Sequence, residues 1–311
     1  MRQEEAVNQI QRKQGKNESQ LIRFGVSADC HLQRGAQNEV FFREFVEDMV
    51  QWKPDFVIDL GDLACQTANG QTTQELHDAQ LNGLICDWGI LSKLSCPVYI
   101  VMGNHDLGWI KGGDETVTPD DLYADTHSGE HITKDEFLNV TGMPHRYYSF
   151  DVNGYHFIVL DGNNESDDST PKLGHDGVVG GYFIDDVQKE WLAKDLADNF
   201  GKIKVVFCHE ELHHTQPEGS GEGGNVPFTP AGNEGSYVDN GWQLRNMFKA
   251  DGMVMVCFSG HKHVNRWTVY GGVNYITLAA THREGSNAKV TISDKLYLEG
   301  HGNQRNYTVP M

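Results

Sequence analysis

Five short blocks of ligand-type residues, each set at the end of an apolar run, constrain this chain more than any other feature. In order they are Asp29-Cys30-His31, Gly61-Asp62, Gly103-Asn104-His105-Asp106, His209, and Gly260-His261-Lys262-His263. The runs before them, at 21–27, 56–60, 97–102, 203–208 and 253–259, have the length and the β-branched or aromatic content of strands. Strands of one sheet bring their carboxyl ends to a common edge, where α/β proteins gather their chemistry. A fold that joins these strand ends therefore joins the blocks.

The segments between support that arrangement. From 38 to 52, Val40, Phe41, Phe45, Val46, Met49 and Trp52 recur at helical spacing, and Pro54 closes the helix. Further helices are expected at about 73–93 and 185–199. Strand–helix alternation implies βαβ units and parallel pairing. Asn153-Gly154, between apolar runs at 147–152 and 155–160, predicts a hairpin with a two-residue turn. The last third reads as strands at 266–270, 273–279, 288–293 and 295–299. Residues 1–20 form a polar arm, helical at most in short pieces. The remainder, 21–311, reads as a single domain with loop insertions at 107–145, holding at most one short helix, and at 212–240. Residues 161–181 are a further polar, glycine-rich loop.

Composition limits the partners. A net charge of −19 with scattered Lys and Arg lacks the basic stripe that neutralises a nucleic-acid backbone. A small phosphate ester stays accessible if metal cations supply the local positive field. No apolar run approaches the ~20 residues of a membrane helix. The start, Met1-Arg2-Gln3-Glu4-Glu5, lacks a secretory pattern, so a cytoplasmic protein is expected, with an exported mature form left open. Six cysteines, at 30, 65, 86, 96, 208 and 257, include no Cys-x-x-Cys pair and read as free thiols rather than a disulfide framework. A homo-oligomer is compatible with all of this.

Singly, each block is ordinary: Gly61-Asp62 is a turn, and His209 a strand-end histidine. Together they describe a site for two adjacent metal ions, with one histidine left over for chemistry. Alternate residues such as 29 and 31, or 261 and 263, can face the same way from extended backbone. Glycines at 61, 103 and 260 let the chain turn where the ligands converge. Mixed carboxylate, imidazole and amide donors suit Mn²⁺, Fe, Zn²⁺ or Co²⁺ better than Ca²⁺ or Cu⁺. Two such cations held ~3.5–4 Å apart match the oxygens of a phosphoryl group.

The ordered set Asp-x-His, Gly-Asp, Gly-Asn-His-Asp, His, Gly-His-x-His resembles the calcineurin-like metallophosphoesterase superfamily over roughly residues 21 to 300. The resemblance implies a four-layer αββα sandwich of two mixed β-sheets flanked by helices. It implies two divalent or trivalent metal ions, the first held by Asp29, His31, Asp62 and His263. Asp62 would bridge to the second, completed by Asn104, His209 and His261. His105 would protonate the leaving oxygen or stabilise the transition state, and Asp106 would orient and charge its imidazole. The reaction implied is hydrolysis by a metal-bridging water or hydroxide. After the fourth block the family often carries proline or a small residue, whereas this chain has Glu210-Glu211 and then His213-His214. His213 or His214 is thus an alternative ligand, and the two glutamates read as rim charges or solvated loop residues.

The motif set is closer to the cyclic-nucleotide and glycerophospho-diesterase branch than to protein Ser/Thr phosphatases. Those carry an arginine in a longer second block, which Gly61-Asp62-Leu63-Ala64-Cys65 lacks. A weaker similarity, in 145–150, 275–278 and 296–302, is to the manganese-dependent ADP-ribose/CDP-alcohol diphosphatases; His31 departs from the Gln of that group. The expectation is a hydrolase of a small phosphodiester or phosphoanhydride, nucleotide- or glycerophospho-type. The alternatives are a phosphomonoesterase, a non-catalytic metal-binding scaffold, or a nuclease, the last opposed by charge. His145, Arg146, His175, Arg266, His282 and Arg283 are candidate phosphate or base contacts, and Trp109 and Tyr123 candidate stacking residues. Each of these also reads as surface, turn or loop anchor.

Overall fold

The computed structural model describes residues 21–33, 35–64, 73–106, 132–163, 182–212, 237–238 and 240–310. The N-terminal arm, most of both loop insertions, and the candidates Trp109, Tyr123, His175, His213 and His214 lie outside the described residues.

The first strand, β1 (Ile22–Ser27), lies between β10 (Asn287–Ile292) and β2 (Phe56–Asp59). Its sheet continues through β3 (Val98–Ile100) on one side, and through β11 (Lys295–His301) and β12 (Tyr307–Pro310) on the other. The second sheet runs in the order β4 (Tyr148–Val152), β5 (Tyr155–Leu160), β6 (Lys204–Cys208), β7 (Val254–Ser259), β9 (Val273–Thr277), β8 (Arg266–Tyr270). Strands β1, β2 and β3 pair in parallel, as do β5, β6, β7 and β9; the other pairings are antiparallel. Both sheets are mixed, as expected. The βαβ connections set the parallel pairs, so the carboxyl ends of β1, β2 and β3 share one edge.

Alternation along β1 explains the layering. Ile22, Phe24 and Val26 point into the inter-sheet core, where Phe24 stacks on Phe56 at 4.8 Å and meets Phe157 and Phe207 edge-on at 5.8 and 6.0 Å. Offset and edge-on aromatic pairs of this kind add about 0.5–1.5 kcal/mol beyond the area they bury. Gly25 points the other way, where a Cβ would lie 2.2 Å from Met49 Sδ; its missing side chain lets α1 (Gln37–Trp52) sit down on the sheet. On that outer face Phe42, Phe45 and Met49 of α1 pack with Leu84 and Leu91 of α2 (Thr73–Leu91) and Phe137 of α3 (Lys134–Thr141). On the far side, Leu192 and Leu196 of α4 (Asp186–Asp198) join Leu244 and Phe248 of α5 (Gly241–Asp251) over the second sheet. Helix, sheet, sheet, helix: the four-layer sandwich holds.

Two elements go beyond the sequence expectation. Helix α5 follows the glycine-rich stretch directly, where a short run of apolar residues at Trp242, Leu244, Met247 and Phe248 gives only a weak helical signal. Strand β12 is an exposed edge strand in which Val309 is the buried apolar residue. The hairpin forms as expected, with Asn153 at φ 50° and Gly154 at φ 81°, the positive pair a type I′ turn needs. Cys30, Cys208 and Cys257 are buried free thiols. No described helix is long and apolar enough to cross a membrane.

Candidate metal centre

The five blocks converge at the strand ends, and the backbone there is unusual. Asp29, His31, Asp62, His261 and His263 all have positive φ, between 43° and 63°. A non-glycine residue in that region costs of order 1–3 kcal/mol and persists only where its surroundings over-determine it. Here they do. Asp29 N–H donates to Gly61 O at 3.0 Å and His31 N–H to Asp62 O at 2.9 Å, lacing the first loop to the second. His261 N–H donates to Asp29 Oδ1 at 2.9 Å, and His105 N–H to Asp62 Oδ1 at 2.7 Å.

The motif glycines serve this lacing chiefly by being small. At Gly103 a Cβ would fall 2.2 Å from Asp62 N and 2.3 Å from Asp62 Oδ1; at Gly260 it would fall 2.6 Å from Asp29 Oδ2. Only Gly61 also needs its left-handed φ of 98°. Close approach of loops, rather than a sharp turn, is the requirement at Gly103 and Gly260.

Donor atoms face one another at distances suited to a shared cation. His31 Nε2 lies 3.2 Å from His263 Nε2, and His263 Nε2 lies 3.2 Å from Asp29 Oδ1. On the other side His209 Nε2 is 3.1 Å from Asp62 Oδ2 and 3.2 Å from Asn104 Oδ1, which is 3.0 Å from His261 Nδ1. Adjacent ligands about 2.1 Å from one ion are separated by ~3.0–3.4 Å, so these pairs have the spacing of polyhedron edges. Asp62 Oδ2 lies between the groups, 3.8 Å from His31 Nε2 and 3.9 Å from His105 Nε2. The seven expected ligands are brought together, and their donor set fits two cations.

Hydrogen bonds select the free nitrogens. His209 Nδ1 is 2.8 Å from Leu60 O, so its proton sits there and Nε2 keeps the lone pair. Charge follows the same plan. Burial pushes the Asp29 carboxyl up, but the His263 hydrogen bond and the charges of His209 and His263 outweigh it, and it stays below its usual range. Asp62 is likewise buried, yet His209 and His105 hold it far below that range. His31 is pushed down to about 4, by burial first and then by His105 and His263, against the pull of Asp62 and Asp29. Burial opposes charge on His209, and Asp62 overrides it. A proton and a metal ion compete for the same Nε2 lone pair.

Asp106 departs from the expectation that it orients the His105 imidazole. Its Oδ2 accepts the N–H groups of Asp62 and Gly103, both at 2.9 Å, and its Oδ1 accepts Ala64 N–H at 3.1 Å. A carboxylate engaged by three amides clamps the second and third blocks together. Glu210 and Glu211 are buried, not solvated. Glu211 pairs with Arg266 at 2.6 Å and accepts from Thr277, while burial pushes Glu210 up to about 8. Arg266 is thereby engaged, as is Arg146, which pairs with Asp161 at 3.0 Å and with Asp185. His145 is exposed against Tyr147.

Three supporting residues had no sequence signal beyond their place at strand ends. Asp59 accepts from Ser27 Oγ at 2.6 Å and Gly61 N–H at 3.0 Å, joining β1 to β2 beneath the site. Asp161 receives Lys134 Nζ at 2.7 Å, and Asn163 Nδ2 donates to Met102 O at 2.8 Å, bracing the strand that leads to Asn104. His282, one of the weak candidates, does reach the site: its ring lies 4.9 Å from that of His31 and 4.8 Å from that of His263.

The family model for calcineurin-like phosphoesterases matches residues 22–265, spanning all five blocks. The chain belongs to that family. No curated protein matches it at a significant level. Among solved structures this calcineurin-like phosphoesterase is similar to a dimetal phosphatase from Danio rerio, at 16% identity, covering 93% of this chain and 98% of that one with a TM-score of 0.61. It is also similar to GAP50, the anchor in the inner membrane complex of Plasmodium, at 12% identity, covering 94% and 89% with a TM-score of 0.51. What is shared at such identities is the fold.

Proposed function

We propose that this calcineurin-like phosphoesterase is a dinuclear metal-dependent hydrolase of a small phosphodiester or phosphoanhydride, nucleotide- or glycerophospho-type. The observation that carries the reading is that Asp62 belongs to two clusters of metal-competent side chains, one with His31 and the non-ligand candidate His105, the other with His209 and His261. Asp29, His31, His263 and Asp62 would hold one cation; Asn104, His209, His261 and the same Asp62 would hold the other. When bound, the cations supply an activated water and a positive field across the phosphoryl oxygens.

The remaining work falls to side chains. His105 stands at the rim, partly exposed, with its backbone N–H on Asp62 and its Nε2 beside the site. Its task is to give a proton to the leaving oxygen, a role worth typically ~10²–10⁴ in rate. Asp106 acts through the backbone, fixing the loop from which His105 projects. A negative chain offers little to hold a dianionic monoester, which favours diesters and anhydrides. One observation favours the monoesterase alternative: Arg283 is an exposed cation beside His282, with Nε 3.3 Å from its Nε2, and would add positive charge for a terminal phosphate.

Hydrolysis of bis-p-nitrophenyl phosphate against p-nitrophenyl phosphate by Mn²⁺-loaded protein separates these readings. Faster diester turnover is expected. A preference for the monoester would move the assignment to a phosphatase, and no turnover of either ester with any divalent metal would favour a scaffold.

A further inference from the structure

We propose that His282 is an additional ligand of the cation position formed by Asp29, His31 and His263, and that this third imidazole makes the position selective for a transition metal over Mg²⁺. The proposal rests on the dinuclear reading above and adds a residue to it.

The loop after β9 returns to the site by hydrogen bonds that leave His282 little freedom. Thr281 N–H donates to Ala28 O at 2.7 Å, and Ala28 N–H donates to Thr281 Oγ1 at 3.3 Å. His282 N–H then donates to Asp29 O at 3.2 Å, and its ring Nδ1 to the same oxygen at 2.9 Å. A carbonyl oxygen only accepts, so the Nδ1 proton is fixed and the lone pair lies on Nε2. This is the arrangement of an imidazole ligand whose other nitrogen is anchored to the backbone.

His31, His263 and His282 form a triangle with ring centroids 4.8 to 5.1 Å apart and interplanar angles of 72° to 77°. One nitrogen from each lies within 4.8 Å of the others. Around one ion, donors at ~2.1 Å stand about 3.0 Å apart when adjacent and about 4.2 Å apart when opposite, so metal binding would draw the His31 and His263 rings toward a centre that the anchored His282 already faces. The contact that Nε2 accepts from Arg283 is long, and Arg283 is an exposed side chain that can swing away. The two positions then differ in kind. One has three imidazoles with Asp29 and the shared Asp62; the other has two imidazoles, an amide oxygen and Asp62. Imidazole-rich sets suit Zn²⁺, Fe and Co²⁺, whereas Mg²⁺ prefers oxygen.

Co²⁺ titration of the full chain against a competing chelator, followed by visible absorption, tests this with wild type and His282→Asn. The asparagine amide can keep the hydrogen bond to Asp29 O while removing the ligand nitrogen. Wild type is expected to take up two equivalents. The variant should bind one with unchanged affinity and the other at least tenfold more weakly, with an altered spectrum. Excess Mg²⁺ should displace the weakened Co²⁺ in the variant and neither Co²⁺ in wild type. Unchanged affinities and spectrum in a folded His282→Asn protein overturn the inference and leave the dinuclear reading standing. Fewer than two equivalents in wild type overturn both. Should the variant fail to fold, a crystal structure of Zn²⁺-loaded wild type decides. His282 Nε2 at ~2.0–2.1 Å from the metal supports the inference, and an ion coordinated without it refutes it.

Discussion

Asp106 accepts the backbone N–H of Asp62 at 2.9 Å, so the carboxylate proposed to bridge two cations is held in place by a second carboxylate that touches neither its side chain nor the described ligand nitrogens. The left-handed turn at Asp62, φ 55°, is stabilised from behind in this way. Burial, and then the nearby Asp62 charge, push Asp106 well above its ordinary range, and its amide donors offset part of that cost. Asp106→Asn puts an NH₂ where an N–H needs an acceptor. It should cost about 1–3 kcal/mol of stability and weaken metal binding. Urea denaturation with metal titration checks both; an unchanged melt with only a shifted pH–rate profile would restore the direct link to His105.

Gly103→Ala tests the close approach of the second and third blocks. The added methyl would meet the Asp62 amide nitrogen and carboxylate at 2.2 and 2.3 Å, where neither can retreat without breaking the site. A loss of about 1–3 kcal/mol and of metal occupancy is expected, measured by thermal unfolding and metal analysis. Wild-type metal content would contradict it.

His105→Ala should keep both metals and lose ~10²–10⁴ in turnover of esters with poor leaving groups. A leaving group that needs no proton, such as p-nitrophenolate, should show a smaller loss. Loss of metal instead would make His105 a ligand.

His156 makes the stability of the fold depend on pH at a place away from the site. Its Nδ1 is 2.7 Å from Asp151 Oδ1 and its Nε2 2.7 Å from Asp195 Oδ2. Burial disfavours the imidazolium, but the hydrogen bonds to Asp195 and then Asp151 outweigh it and raise the pKa above its ordinary value. A raised histidine stabilises the fold fully below the unfolded pKa of ~6.5 and loses that contribution as pH climbs through the folded value. The stability gap between wild type and His156→Gln should therefore be wider at about pH 5.5 than at about pH 9. Denaturant melts at both would show it, and a pH-independent gap would contradict it.

The layers and the convergence of the five blocks were legible because each block ends a run whose length and β-branched or aromatic content mark a strand. Parallel pairing then carries Asp29, Asp62 and Asn104 to one edge. Backbone detail was not legible. Nothing in Asp29-Cys30-His31 announces two left-handed residues, because that geometry depends on the carbonyl oxygens of Gly61 and Asp62, more than thirty positions away, accepting the Asp29 and His31 amides. Asp106 beside His105 reads as an acid–imidazole pair in one dimension and turns toward backbone in three. Glu210 and Glu211 look solvated until Arg266 and Thr277, from distant strands, arrive to pair with Glu211. His282 had no motif around it, and the pairing of β9 with β7 together with the hydrogen bonds of Thr281 and His282 to Ala28 and Asp29 brings it to the site.

The central claim is a two-cation centre shared through Asp62, and turnover of bis-p-nitrophenyl phosphate against the number of Mn²⁺ equivalents bound tests it most directly. Little activity is expected at one equivalent, full activity at two, and neither full binding nor turnover in Asp62→Asn. Full activity with a single bound ion, or two ions retained by the Asp62→Asn protein with wild-type turnover, would contradict it.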